Sequence, residues 1–158
     1  TEEATPTFGA SDIMHLSWVQ LLAAYACTEC GRCTDECPAN QTGKLLSPRK
    51  IMMDTRRRAQ EVSANILQNK GTFVPDQKAL LGDYITPEEL WACTTCAACV
   101  EACPMEISPL SIIVEMRRYI VMEQSAAPAS LNKMMTQMEN TSSPWGYNPA
   151  ERETVLNE

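Results

Sequence analysis

Apolar positions along this chain recur at helical steps and almost nowhere alternate. Ser17 to Gln20 reads as a capping box, opening a helix (Trp18, Leu21, Leu22, Tyr25) that runs into Cys27. Ser47-Pro48 is a second start, with Ser47 as N-cap and Pro48 at the first helical position. Ile51, Thr55, Ala59, Val62 and Ile66 then recur at steps of four and three, and Gly71 is a plausible stop. A loop follows to about Thr86. Thr86-Pro87-Glu88-Glu89 is another capping box, and its short helix delivers Trp91 and Cys93. Ser108-Pro109 opens a further helix with the face Ile112, Ile113, Met116, Tyr119 and Ile120. No alternating run exceeds a few residues, so strands are not expected. The predicted fold class is all-α.

The tail differs. Leu131, Met134, Met135 and Met138 have helical spacing after Pro128, and beyond Glu139 the residues suit an extended segment. Trp145 and Tyr147 are large groups there; they either pack back on the domain or dock on a partner or a following domain. The expected division is 1–124 for the main domain and 125–158 for a C-terminal helix and tail. That tail would link to, or dock on, a cysteine-rich domain beyond the sequence.

Charge and hydropathy narrow the classes. Among 158 residues, 20 are acidic and 13 basic, for a formal net charge of −7. That balance argues against a general nucleic-acid binder. The longest apolar run, Leu21 to Cys27, is only seven residues, too short to span a bilayer. No basic segment followed by an apolar stretch marks export. With no initiator Met, the chain is expected to be a piece of a longer protein.

The eight cysteines change the picture most. They form two sets, Cys27, Cys30, Cys33, Cys37 and Cys93, Cys96, Cys99, Cys103. Each reads C-x2-C-x2-C-x3-C and is followed by proline, Pro38 or Pro104. A disulfide framework fits poorly, because cysteines this close in one segment bond each other badly and no export signal is present. Zinc would use two C-x2-C pairs per site and has no role for the third and fourth cysteines at these offsets. Iron–sulfur suits the pattern. Cysteines at i, i+3 and i+6 wrap one looped turn around three irons of a [4Fe–4S] cube, with backbone N–H groups aimed at its sulfurs. In two-cluster ferredoxins the fourth cysteine ligates the other cluster. The expected sets are therefore Cys27, Cys30, Cys33 and Cys103 for one cluster, and Cys93, Cys96, Cys99 and Cys37 for the other. The fold would then be two pseudo-equivalent helical halves around two clusters.

At this point the residues resemble a known group. Cys27-Thr-Glu-Cys-Gly-Arg-Cys-Thr-Asp-Glu-Cys-Pro-Ala, Thr42-Gly43-Lys44 and Leu46-Ser47-Pro48-Arg49 are similar to the dicluster α-helical ferredoxin domain of heterodisulfide-reductase-type iron–sulfur oxidoreductases. Relatives include the iron–sulfur subunits of anaerobic glycerol-3-phosphate dehydrogenase and glycolate oxidase. Phe8-Gly-Ala-Ser-Asp-Ile-Met and Ser143-Pro144-Trp145-Gly146 extend the resemblance toward both ends. It implies electron transfer, as the ferredoxin-like module of a larger oxidoreductase. It also implies a redox partner such as a flavoprotein, and a catalytic cysteine-rich domain or subunit. Many members carry a membrane anchor on the N-terminal side, so a cytoplasmic location is expected, with the full-length protein at the cytoplasmic face of the membrane. A second reading is the iron–sulfur subunit of a succinate dehydrogenase- or fumarate reductase-like complex. There the second site usually lacks a ligand and a [2Fe–2S] domain precedes it; both motifs here are complete. A third is a purely structural iron–sulfur domain.

Nothing in the chain forms a catalytic centre of its own. The single histidine, His15, reads as a surface or helix-entry residue, and Glu29, Asp35, Glu36 and Glu101 as solvated carboxylates. Arg32, between two ligands, is expected to raise the local potential. Arg49, Lys50, Arg56, Arg57 and Arg58 read as a solvated helix face pairing with Asp54, or as a docking patch for an acidic partner.

Overall fold

A computed structural model describes residues 7–148 and 150. It divides into two compact units, Thr1–Glu123 and Gln124–Glu158. Every described regular element is helical: α1 (Trp18–Ala26), α2 (Arg32–Asp35), α3 (Pro38–Gln41), α4 (Pro48–Gln68), α5 (Pro87–Ala92), α6 (Ala98–Glu101), α7 (Pro109–Met122) and α8 (Ala129–Thr141). The chain is all-α, as its periodicity implies.

The helices start where the capping residues stand. Ser17 accepts from the Gln20 N–H, and Gln20 Oε1 accepts from the Ser17 N–H at 2.9 Å. Thr86 and Glu89 make the same reciprocal pair ahead of α5. Ser47 and Ser108 each cap a helix whose first residue is proline. Each cap satisfies a backbone donor that the helix itself leaves unpaired.

Helix α4 is the spine. It packs against α1 and α7, and buries Ile51, Met52, Thr55, Ala59 and Val62. Helix α7 answers with Ile112, Ile113, Met116 and Ile120. Leu46, Leu80, Ile85 and Leu90 complete one continuous core, each 1 % exposed or less. Burying a side chain of that size contributes roughly 1.5–3 kcal/mol. The segment before α1 is seated by backbone contact. Gly9, at φ +78°, lies so close to α7 that a Cβ there would meet the Glu115 carbonyl oxygen at 2.3 Å. The next residue, Ala10, donates its N–H to that same oxygen.

The basic run on α4 is neither a solvated face nor a docking patch as a whole. Arg58 is completely buried. Its guanidinium binds Asp12, Asp76 and the Lys78 carbonyl oxygen. Lys50 is half-buried and bridges Asp54 and the buried Glu89. Arg56 turns inward to the Cys27 carbonyl. Only Arg49 and Arg57 are exposed, and Arg57 pairs with Asp54 one turn back. Three of the five charges thus hold the fold together.

The loop between α4 and α5 is ordered by the same contacts. An irregular turn at Leu80–Tyr84 is pinned when the Leu80 N–H donates to Asp12. His15 lies on a short 3-10 turn, exposed, with Nδ1 3.2 Å from Ser11 Oγ. In the second unit, Met134, Met135 and Met138 of α8 are exposed, as are Trp145 and Tyr147.

Candidate functional site

The two cysteine motifs fold alike. Each opens where a helix ends, at Cys27 after α1 and at Cys93 after α5. Each then passes through two residues in the left-handed region: Glu29 and Gly31 in the first, Thr95 and Ala97 in the second. The second of each pair starts a single helical turn, α2 or α6. Such alternation of backbone conformation points successive N–H groups into one concavity. Some already meet sulfur: the Thr95 N–H lies 3.4 Å from Cys93 Sγ. A backbone donor at Ala98 lowers the Cys96 thiol pKa.

Two cavities result. The first is lined by Cys27, Cys30, Cys33 and, from the other motif, Cys103; it encloses about 340 Å3 free of protein atoms, its open mouth included. The second is lined by Cys93, Cys96, Cys99 and, from the first motif, Cys37, around about 310 Å3. The structure therefore brings all eight predicted cysteines together, in two groups of four. All are free thiols. Cys37 and Cys99 are buried, Cys30 and Cys96 exposed, and the other four lie between.

Several positions of the two cavity walls match across the repeat. Counting from the two Ser-Pro caps, Pro48 answers Pro109, Met52 answers Ile113 and Leu46 answers Ile107, and each lines the cavity its counterpart predicts. One pair differs in kind: Arg49 lines the first cavity and its equivalent Leu110 the second. Sequence reading singled out Arg32 instead. Arg32 is exposed on α2 and lines neither cavity.

A second repeated pair holds the motifs from behind. Arg56 Nη1 donates to the Cys27 carbonyl at 3.1 Å and pairs with Glu29. Arg117, at the equivalent place on α7, donates to the Leu90 and Cys93 carbonyls and lies over the Trp91 ring. Sequence reading missed both roles. The shared spacing from each Ser-Pro, with Arg-Arg at the same distance, was the available signal.

Burial pushes the Cys27 thiol pKa up, while Arg56 and Arg49 pull it back. Burial pushes Cys99 up to about 11, and the other influences on it are neighbouring thiols, Cys33 and Cys37 among them. The two sites thus feel each other, as the packing of α2 on α6 requires. Four soft sulfurs, inward N–H groups and apolar walls fit a polynuclear iron–sulfur group in each cavity.

Comparison with known proteins agrees. Residues 26–107 match the model of the 4Fe-4S dicluster domain. The chain is 35% identical to the "Probable iron-sulfur-binding oxidoreductase FadF" of Bacillus subtilis, over 100% of this chain and 26% of that protein. It is 35% identical to the EtfAB:quinone oxidoreductase of Syntrophomonas wolfei, over 99% of this chain and 24% of that one. It is 32% identical to one of the subunits of the ferredoxin/F(420)H(2)-dependent CoB-CoM heterodisulfide reductase of Methanosarcina acetivorans, over 75% of this chain and 60% of that relative. The chain spans about a quarter of the first two relatives.

Proposed function

This chain belongs to the 4Fe-4S dicluster domain family, and from that footing we propose that it is the electron-wire module of a larger heterodisulfide-reductase-type oxidoreductase. It binds two [4Fe–4S] clusters, and their chemistry is reversible one-electron transfer. In this reading Cys27, Cys30, Cys33 and Cys103 hold the first cluster, and Cys93, Cys96, Cys99 and Cys37 the second. The observation that carries it is the crossed lining of the two cavities.

The chain's own residues do three things in the relay. The eight thiols, once deprotonated, hold the metal. The left-handed turns at Glu29, Gly31, Thr95 and Ala97 aim N–H groups inward, favouring negative charge on bound sulfur. Apolar walls such as Met52 and Ile113 limit water, while the exposed edges at Cys30 and Cys96 leave each site open to a partner. The donor in this reading is a flavoprotein and the acceptor a cysteine-rich catalytic domain or subunit. Among the described residues no helix is long and apolar enough to cross a membrane. In this reading the full-length protein works at the cytoplasmic face of the membrane.

The test is iron and acid-labile sulfide content with EPR on anaerobically purified protein, for the wild type and for Cys30→Ser, Cys37→Ser, Cys96→Ser and Cys103→Ser. About eight irons and two reduced signals are expected. Cys37→Ser should perturb the same signal as Cys96→Ser, and Cys103→Ser the same signal as Cys30→Ser. A colourless zinc-loaded protein, or signals that follow each motif separately, overturns the reading.

A further inference from the structure

The protein contains its own control for the effect of charge on a cluster. The two cavities share their ligand pattern and their proline walls, and Met52 in one stands where Ile113 stands in the other. At one matched wall position the charge changes: Arg49 lines the first cavity where its counterpart Leu110 lines the second. Arg49 is the one charged side chain on either wall among the described residues, and no carboxylate pairs with it in the described structure.

We infer that Arg49 makes the first site the more oxidising of the two, so that an electron taken up at the second site is drawn to the first and leaves the domain there. This rests on the ligand assignment above and adds a direction to it. The reasoning is electrostatic. Reduction adds one negative charge to a site, and a cation on its wall stabilises the reduced form. Arg49 is exposed, so water weakens that stabilisation, but its place on the wall keeps it closer to the first site than any other unpaired charge among the described wall residues. The other arginines do not reverse it. Arg56 and Arg117 occupy equivalent places behind the two motifs and largely cancel. Glu29 offsets part of the Arg56 charge, but it is exposed and lies on neither cavity wall. Asp35, Glu36 and Glu101 line neither cavity, whereas Arg49 stands on the wall of the first. Both helix N-termini, at Pro48 and Pro109, lie on a cavity wall, so they too cancel.

The electron count is simple. The donor loses one electron and the second site gains it. The second site then loses it and the first gains it, with no bond made or broken. Leu110 keeps the second site poor in positive charge, which makes it the stronger reductant and the site that donates inward.

Potentiometric titration followed by EPR tests this on the intact holoprotein, using Arg49→Leu, Arg49→Gln and Leu110→Arg. Wild type should show two separated midpoints. Arg49→Leu and Arg49→Gln should each lower the higher midpoint alone, shifting the partition of the first electron at least tenfold toward the second site. For a one-electron couple that is about 59 mV. Leu110→Arg should raise the lower midpoint. If both Arg49 variants retain about eight irons but leave the midpoints in place, or lower the other one, the inference is overturned while the ligand assignment stands. If wild type itself fails to show two clusters, the ligand assignment falls first.

Discussion

Arg58 clasps Asp12 side-on, Nε to Oδ1 at 3.0 Å and Nη2 to Oδ2 at 2.7 Å, across 46 positions of sequence. The same guanidinium reaches Asp76 and the Lys78 carbonyl. Three separate segments therefore meet on one buried cation. Replacing it leaves Asp12 and Asp76 facing each other without a counter-charge. Arg58→Met should cost about 3–5 kcal/mol, read from denaturant unfolding of the cluster-loaded protein. Arg58→Lys should not restore it, because an ammonium cannot span the fork.

Tyr84 donates its hydroxyl proton to Glu61, and burial together with that carboxylate raises its pKa to about 12. A raised folded-state pKa means the folded form keeps a proton that the unfolded form gives up near pH 10. The stability it supplies is whole below pH 10 and is lost as pH rises through about 12. The difference in unfolding free energy between wild type and Tyr84→Phe should be constant from pH 7 to 9 and shrink above 10. A difference that grows with alkalinity would contradict this.

Ala97 holds a left-handed conformation, φ +63°, where the first motif has Gly31. A Cβ in that region costs about 1 kcal/mol or more. Ala97→Gly should therefore raise the melting free energy by up to about 1 kcal/mol and Gly31→Ala should lower it similarly. No heavy atom lies within 4 Å of a Cβ built at Gly31, so the effect there is conformational, not steric.

Gly9 and Gly43 share nearly the same dihedral, φ +78° and +77°, but only Gly9 is pressed against another backbone. Gly43→Ala should cost about 1 kcal/mol. Gly9→Ala adds a collision with Glu115 and Tyr119 and should cost more than twice as much, with increased proteolysis ahead of α1. Equal costs would show that the contact with α7 is not maintained in solution.

Removing the metal should unfold the main domain, not only bleach it. All eight cysteines line the two cavities beside core residues such as Met52, Leu46 and Ile113, so the bound groups tie the two halves of the core together. Metal binding is therefore coupled to folding of the domain. Chelation under anaerobic conditions should abolish the cooperative melt and much of the helical CD. A cooperative melt in metal-free protein would refute this.

Much of this architecture was legible because its signals are local. Ser17, Ser47, Thr86 and Ser108 sit at helix starts for reasons that extend only three residues. The cysteine spacing is likewise a constraint on one short loop. What local reading missed is long-range. Arg58 looked like one of five solvated cations because its partners lie 46 and 18 positions away. The clue was its register: Ile51, Thr55, Arg58 and Val62 follow the buried stripe of α4, and a cation on such a stripe requires buried carboxylates. Arg49 was missed for a related reason. Its importance comes from comparing it with Leu110, which needs the repeat aligned on the Ser-Pro caps and not on the cysteines alone.

Cys103 completes the wall of the cavity that residues 27–33 build, and Cys37 completes the wall built by residues 93–99. Each half thus lends its last thiol to the other, in the manner of a domain-swapped dimer whose two arms happen to be written in one chain. Neither half could be deleted, or supplied by a foreign motif of the wrong spacing, without leaving both cavities a sulfur short. The lengths of α4 and the connection after it can drift, provided Asp76 still reaches Arg58, but the exchange itself forces the two motifs to change together.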